Sequence, residues 1–369
     1  MDRFVLILRE VRDPRAENAR HDCAAMLFTA LIATLCGCKS CVEIADFVAA
    51  NEEELSEWVD LPHGAPSHDS YSRLFRLLDP DELGRAFKAF AAAFRQALGL
   101  GSVKGVVAVD GKSIRRGYER GKAHMPPLMV SVWDAQTHLS IAAHVAPGGG
   151  EVKATLAALR GLDLKGCTVT ADALHCHPEM AETVRRAGAH YALKLKGNNG
   201  PLHDCAIRTF EKADASGDLS FHETSTAKPA HDRFERRRGS VIALPQDCPA
   251  FPGLAMLGRI QSERRAANGK TSNGVHYIAL SRKMSPAKMM ETIRAEWSVE
   301  NNLHWPLDVV FHEDDARTRK NHAPANLSFI RRMALDILKA HPDPRSPSRK
   351  MNLARWKKEF LCELFTHMR

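Results

Sequence analysis

The sequence predicts a mixed α/β fold with a helical N-terminal domain, and three observations carry that prediction. Residues 1–100 repeat apolar side chains at helical spacing. From Val106 the texture changes to short apolar runs, three in succession and then alternating with two helical stretches. After Gly197 the pattern turns polar and β-like, and helical periodicity returns near Ser285. Strands in succession followed by helix–strand alternation indicate a mixed sheet whose opening strands are antiparallel.

In the helical part, "HDCAAMLFTALIATLCGC" and "CVEIADFVAANEEELSEWV" are helical stretches. In "GAPSHDSYSRLFRLL", Ser67 or Asp69 is placed to cap a third helix bearing Tyr71, Leu74, Phe75 and Leu78. "DPDELGRAFKAFAAAFRQAL" starts a fourth, with Pro80 and acids in its first turn. The strand-like runs are "VVAVDGKSI", "PLMVSVWDA", "LSIAAHVAP", "CTVTADAL" and "HYALKLKG". "GEVKATLAALRGL" lies between the third and fourth, and "PEMAETVRRAG" between the fourth and fifth. "LSFHETSTAKPAHDRFERRRGSVIAL", "AMLGRIQSERR" and "GVHYIALSRK" then form a basic, strand-rich insertion. "SPAKMMETIRAEWSVENNLHW" is helical until Pro306 interrupts it, and "PANLSFIRRMALDILKAH" makes a further helix. The tail from Pro342 to Arg369 is basic.

A chain of 369 residues with 44% hydrophobic residues has material for two or three domains with real cores. Its formal net charge of +8 favours a polyanionic partner without specifying a fold. The N-terminal "MDRFVLILREVRDPRAENAR" puts charges straight after a short apolar run, which does not fit a signal peptide. The most apolar stretch, Cys23 to Cys38, falls short of the roughly 18 uninterrupted apolar residues of a spanning helix, so it is expected to be buried. Nine cysteines without a paired framework suit a reducing cytoplasm. Cys36, Cys38 and Cys41 lack a second ligand pair at zinc-finger spacing and are assigned to core packing.

The stretch "VVAVDGKSIRRG" contains a "GKS" that invites a phosphate-loop reading. Gly105 and Gly111, however, enclose five residues where that loop has four, and those five, "VVAVD", belong in a buried strand. Asp110 therefore ends an apolar strand, where sheet proteins place ligand-binding groups. In "CTVTADALHCH", Asp172 repeats the arrangement. Two carboxylates at neighbouring strand ends repel each other unless a cation lies between them, and a divalent metal is the usual one. Such a metal can activate water and stabilise the leaving oxygen of a phosphodiester. On "IRAEWSVENNLHW", Glu296, Glu300 and His304 share a helical face and offer a third carboxylate.

The succession "AVDGKSIR", "TADALHCH", "YALKLKGNNG", "HDRFERR" and "EWSVENNLHWPLDVVFHEDDARTRKNHAPANLSFIRRMALDIL" resembles the insertion-sequence transposases of the DDE families, specifically their H-repeat-associated branch. "GAPSHDSYSRLF" is similar to that branch's leading associated domain, and the resemblance covers most of residues 13–340. It implies an RNase H-like catalytic core with a β-rich insertion. The domains would be an N-terminal helical domain (1–100), the core in two parts (101–199 and 285–340), the insertion (200–284) and a basic tail (341–369).

Residue by residue, the resemblance puts Asp110, Asp172 and Glu300 at the catalytic, metal-holding positions, with Glu300 matching through Trp297-Ser-Val-Glu300. The implied cofactor is Mg²⁺ or Mn²⁺, as two ions. The implied partner is double-stranded DNA, both the element's inverted repeats and its target, bound by a dimer in the cytoplasm or on the nucleoid and with no membrane. Lys112, Arg115, Lys194 and Lys196 are candidates for phosphate contacts, with Arg233, Arg236, Arg237 and Arg238 binding DNA from the insertion. The chain departs from the family pattern at Glu296, where an Arg is frequent, at His177 for Gln and at Asp232 for Gly. Asp308, Glu313, Asp314 and Asp315 are rivals for the third ligand. The expected activity is cleavage at element ends and strand transfer. The alternatives are a catalytically decayed DNA-binding descendant and an RNase H-like nuclease that cuts without joining.

Overall fold

The computed structural model describes residues 2–118, 126–146, 150–217, 219–228, 233–266 and 269–366. In chain order the first elements are α1 (Asp2–Arg9), α2 (Cys23–Leu35), α3 (Cys41–Ala50), α4 (Glu52–Ser56), α5 (His68–Leu77) and α6 (Pro80–Ala97). They are followed by β1 (Val106–Ser113), β2 (Leu128–Asp134), β3 (Leu139–Ala146), α7 (Glu151–Leu159), β4 (Thr168–Ala171), α8 (Pro178–Arg186), β5 (His190–Leu195) and α9 (Gly200–Ser216). Next come β6 (Phe221–Lys228), β7 (Arg233–Ala243), β8 (Met256–Arg265), β9 (Thr271–Leu280) and α10 (Pro286–Val299). The chain finishes with α11 (Trp305–Val309), α12 (Ala323–Ala340), α13 (Pro347–Trp356) and α14 (Lys358–Thr366). It divides into two compact units: residues 1–101, 111–158 and 299–369, and residues 102–110 and 159–298. Among the described residues, no helix is long and apolar enough to cross a membrane.

The first unit is built around two sequestered helices. Every residue of α2 is buried, and α12 is buried from Ala323 to Leu338. Asp22 caps α2 by accepting from the Ala25 amide at 2.8 Å, and Ser67 caps α5 through the Ser70 amide. Phe329 of α12 meets Phe87 of α6 at 5.7 Å between ring centroids, and Asn326 donates to the Phe75 and Leu78 carbonyls that end α5. These aromatic contacts and satisfied helix ends bind α5, α6 and α12 into one core. β2 and β3 pair antiparallel from Leu128↔Ala146 to Asp134↔Leu139, as their succession predicts. The basic tail adds α13 and α14, whose Met351, Leu361, Leu364 and Phe365 are buried in this unit.

The second unit is a twisted sheet in the order β1-β4-β5-β9-β8-β7-β6. β1, β4 and β5 run parallel, and the pairings from β5 onward are antiparallel. Val107, Ala108, Val109, Val169 and Ala171 are fully buried, which explains their continuous apolar runs. α10 lies on the sheet through Met289, Met290 and Ile293, packed against Ile260, Ile278 and Leu280. Glycine makes this approach possible: a Cβ at Gly258 would stand 2.2 Å from the Met289 sulfur, and one at Gly239 would stand 2.5 Å from Met290.

Three stretches differ from the sequence reading. β1 runs on past Asp110 to Ser113, so this acid lies within the strand, just beyond the last residue paired with β4, and does not end it. Residues 200–216, read there as the start of a β-like region, form α9, which buries Leu202, Cys205, Ala206 and Phe210 at helical spacing. Pro306 does not interrupt its helix. A π-turn, Glu300–His304, links α10 to α11, and Pro306 sits in the first turn of α11. The wider turn accommodates the residue that lacks an amide. The architecture is mixed α/β, as the sequence predicts.

Candidate active site

In the second unit, the parallel register aligns Val106 with Thr168 and continues to Val109 with Ala171. The next residue on each strand is the acid, so Asp110 and Asp172 stand side by side, about one strand spacing of roughly 4.8 Å apart along the backbone. β4 stops there, because Asp172 turns its side chain back to accept from the Leu174 amide at 3.0 Å and opens a 3₁₀ turn. Asp172 is exposed and Asp110 half-buried. Among the described residues Asp172 has no ion-pair partner. Hard oxygen donors on two neighbouring strands are of the chemistry that suits a divalent cation of the Mg²⁺ or Mn²⁺ type.

Glu296 of α10 is committed elsewhere. Glu296 accepts from Lys194 Nζ at 2.7 Å and from Thr170 Oγ1 at 3.4 Å. Lys194 is thereby half-buried in an ion pair, whereas Lys196, two residues on, is exposed. Glu296 and Glu300 thus have separate partners rather than a common task.

In the first unit, Glu300 opens the π-turn with its side chain 67% exposed, and its Oε2 lies 3.0 Å from Nδ1 of the buried His304. Burial, and then the nearby Arg332 charge, push the His304 imidazole down to about 4, so it is neutral at physiological pH. Lys339, packed over the Trp133 ring at 4.6 Å, donates to the Asn302 carbonyl in the same turn. Sequence reasoning put His304 on this face but gave it no role. The Glu–His spacing of four was the available signal.

The rivals for the third carboxylate are enclosed by cations. Lys112 Nζ lies 2.8 Å from Asp308, 2.9 Å from Asp314 and 3.7 Å from Glu313. Glu313 is completely buried, accepts from Ser328 Oγ at 2.6 Å and faces Arg332 and Arg331 at 3.5 and 3.9 Å. Burial pushes its carboxyl up, but Arg332, Arg331 and Lys112 outweigh burial and hold it below the usual range. Lys112 is therefore a buried counter-ion for acids, a different setting from the phosphate contact expected of it. Arg115 is exposed beside Asp314 at 3.3 Å, and Asp315 is exposed with Arg116 at 3.4 Å.

The arginines of β7 alternate faces, as strand geometry requires. Arg236 and Arg238 share one face with Glu223, at 2.8 and 3.2 Å, and Arg238 also covers the Phe221 ring. Arg237 points to the opposite face, paired with Glu235 at 2.9 Å and beside Trp297 of α10, which Arg264 also approaches. Burial, with Lys194, Lys196, Arg264 and Arg237 nearby, holds the His276 imidazole below its ordinary value and marks a positive patch. The side chain of Arg233 and all of Asp232 lie outside the described residues.

Residues 101–337 match the model of the "Transposase DDE domain", and residues 5–91 match that of the "DDE_Tnp_1-associated" family. The chain is 27% identical to YhhI of Escherichia coli (strain K12), whose name couples the H repeat with the word transposase, over 87% of this chain and 86% of that one. It is 34% identical to a protein encoded in the dhlA 3′ region of Xanthobacter autotrophicus, over 71% of this chain and 88% of that one. A structure of the piggyBac transposase synaptic complex with hairpin DNA aligns at TM-score 0.48 and 13% identity, over 99% of this chain and 78% of that one. The chain belongs to the DDE transposase family, in its H repeat-associated branch.

Proposed function

We propose that Asp110, Asp172 and Glu300 together hold two Mg²⁺ or Mn²⁺ ions and cut DNA at the ends of an insertion sequence, after which the freed 3′ hydroxyl is joined to target DNA. DDE transposases act on DNA with a divalent metal. The observation that carries the assignment is the parallel register of β1 and β4, which sets Asp110 and Asp172 next to each other. The choice of Glu300 is supported by exclusion. Glu296, Asp308, Glu313 and Asp314 each have cationic partners, and Glu300 is an exposed carboxylate at the position that matches the family.

When bound, the metal would supply Lewis-acid stabilisation of the attacking and leaving oxygens. The three carboxylates would fix its position and so set the line of attack on phosphorus. In the first step water opens a phosphodiester at the element's end and leaves a 3′ hydroxyl. In the second, that hydroxyl displaces an oxygen of a target phosphodiester. Lys196, Arg115, Arg236 and Arg238, exposed or half-exposed cations, are the phosphate contacts this reading retains. Two ends have to be cut and joined together, which favours a dimer working in the cytoplasm on chromosomal DNA.

The test is a plasmid carrying the element's two ends, incubated with the full chain and Mg²⁺ or Mn²⁺. The expected products are breaks at the ends bearing 3′ hydroxyls, followed by joined molecules. Cutting without joining would make the protein a nuclease. End binding without any cutting would overturn the catalytic reading.

A further inference from the structure

We propose that His304 is a positioning residue: it holds the Glu300 carboxylate in the orientation that receives the metal. This deepens the reading above and rests on Glu300 being a metal ligand. Glu300 is an exposed, three-torsion side chain, which in water would sample many rotamers and carry its carboxylate through several positions. His304 is the opposite, with its side chain only 5% exposed and its ring fixed by the interior. The 3.0 Å contact between Nδ1 and Oε2 ties the mobile group to the fixed one. A carboxylate oxygen can only accept, so Nδ1 carries the proton and donates.

The turn itself is immobilised at three further points. Leu303 is fully buried, Pro306 is buried, and Lys339 donates to the carbonyl of Asn302 from a seat over the Trp133 ring. The anchor for Glu300 is therefore a part of the core rather than a loop. Among the described residues, the second carboxylate oxygen has no hydrogen-bond partner and can face a cation. A histidine that orients a metal-binding carboxylate through its ring N–H typically changes metal affinity by 10–100-fold when it is lost.

The experiment measures Mn²⁺ affinity of the full chain without DNA, by electron paramagnetic resonance of the free ion. Wild type is compared with His304→Leu, which fills the space but cannot donate, with His304→Asn, whose amide nitrogen can replace Nδ1–H, and with Glu300→Gln. The expected result is a loss of about 10–100-fold in His304→Leu, recovery to near wild type in His304→Asn, and no further loss when His304→Leu is added to Glu300→Gln. Wild-type affinity in a folded His304→Leu protein would overturn the proposal, as would equal weakening in the Leu and Asn variants. If His304→Leu does not fold, His304→Met, which also cannot donate, takes its place in the cycle with Glu300→Gln: a loss that adds to that of Glu300→Gln overturns the proposal, and a loss absorbed by Glu300→Gln supports it. Unchanged affinity in Glu300→Gln would instead sink the metal-ligand reading of Glu300 itself.

Discussion

One group of acids in each unit stands in an electrostatic setting opposite to the other's. In the helical unit, Asp308, Glu313 and Asp314 crowd around Lys112, with Arg331 and Arg332 behind Glu313. In the sheet unit, Asp172 stands exposed at a strand end with a backbone amide for company, beside the position of Asp110. The difference separates acids that hold a fold from acids that can hold a ligand. A carboxylate matched by internal cations is satisfied, and removing it exposes a buried charge. A carboxylate at a strand end without a cation leaves negative potential for something outside the chain to neutralise.

The largest expected contrast is in stability. Glu313→Gln should leave Arg331 and Arg332 without the buried carboxylate they face and cost about 3–5 kcal/mol in urea unfolding. Asp172→Asn should shift stability by no more than about 0.5 kcal/mol, as for a surface change. Equal losses in the two variants would erase the distinction. The same carboxylate gives the contrast a pH signature. Glu313 has its carboxyl held below the unfolded value of 4.5, so its stabilisation is present above that pH and is lost as the pH falls through the folded value. The gap between wild type and Glu313→Gln should therefore close in acid. A gap that stays constant down to pH 3 would mean that packing, and not charge, accounts for the loss.

A smaller effect is expected at the DNA surface, where the β7 arginines sharpen the comparison. Arg236 and Arg238 share an exposed face, while Arg237 turns to Glu235 and Trp297. Replacing Arg236 and Arg238 with Gln should flatten the salt dependence of DNA binding by up to about 1.8, at roughly 0.9 per phosphate contact. Arg237→Gln alone should leave the slope unchanged. A slope that falls only with Arg237→Gln would move the DNA contact to the face of α10.

Much of this was legible in the sequence, for identifiable reasons. Apolar runs that reach an acid gave β1 and β4, because a strand buried on both faces is continuously apolar; the acid marks the end of β4 but not of β1, which runs on to Ser113. The cap at Ser67 and the proline start at Pro80 were read from local chemistry and occur as read. Helix α9 was missed because its apolar positions, Leu202, Cys205, Ala206 and Phe210, are spread through polar residues. The burial of Lys112 was not legible, since Asp314, one of its partners, lies 202 positions further along the chain. "DGKS" by itself suggests a solvated cation. The π-turn was equally hidden, because Pro306 signals a break wherever the backbone has no means of widening before it.

The most direct test of the central claim is Mg²⁺-dependent cleavage of the element's ends by four single variants. Asp110→Asn, Asp172→Asn and Glu300→Gln keep side-chain shape and remove one negative ligand each, and Asp308→Asn does the same to an acid that pairs with Lys112. The first three should bind the ends but cut none of them, while Asp308→Asn should still cut. Cleavage that survives Glu300→Gln and disappears with Asp308→Asn would contradict it.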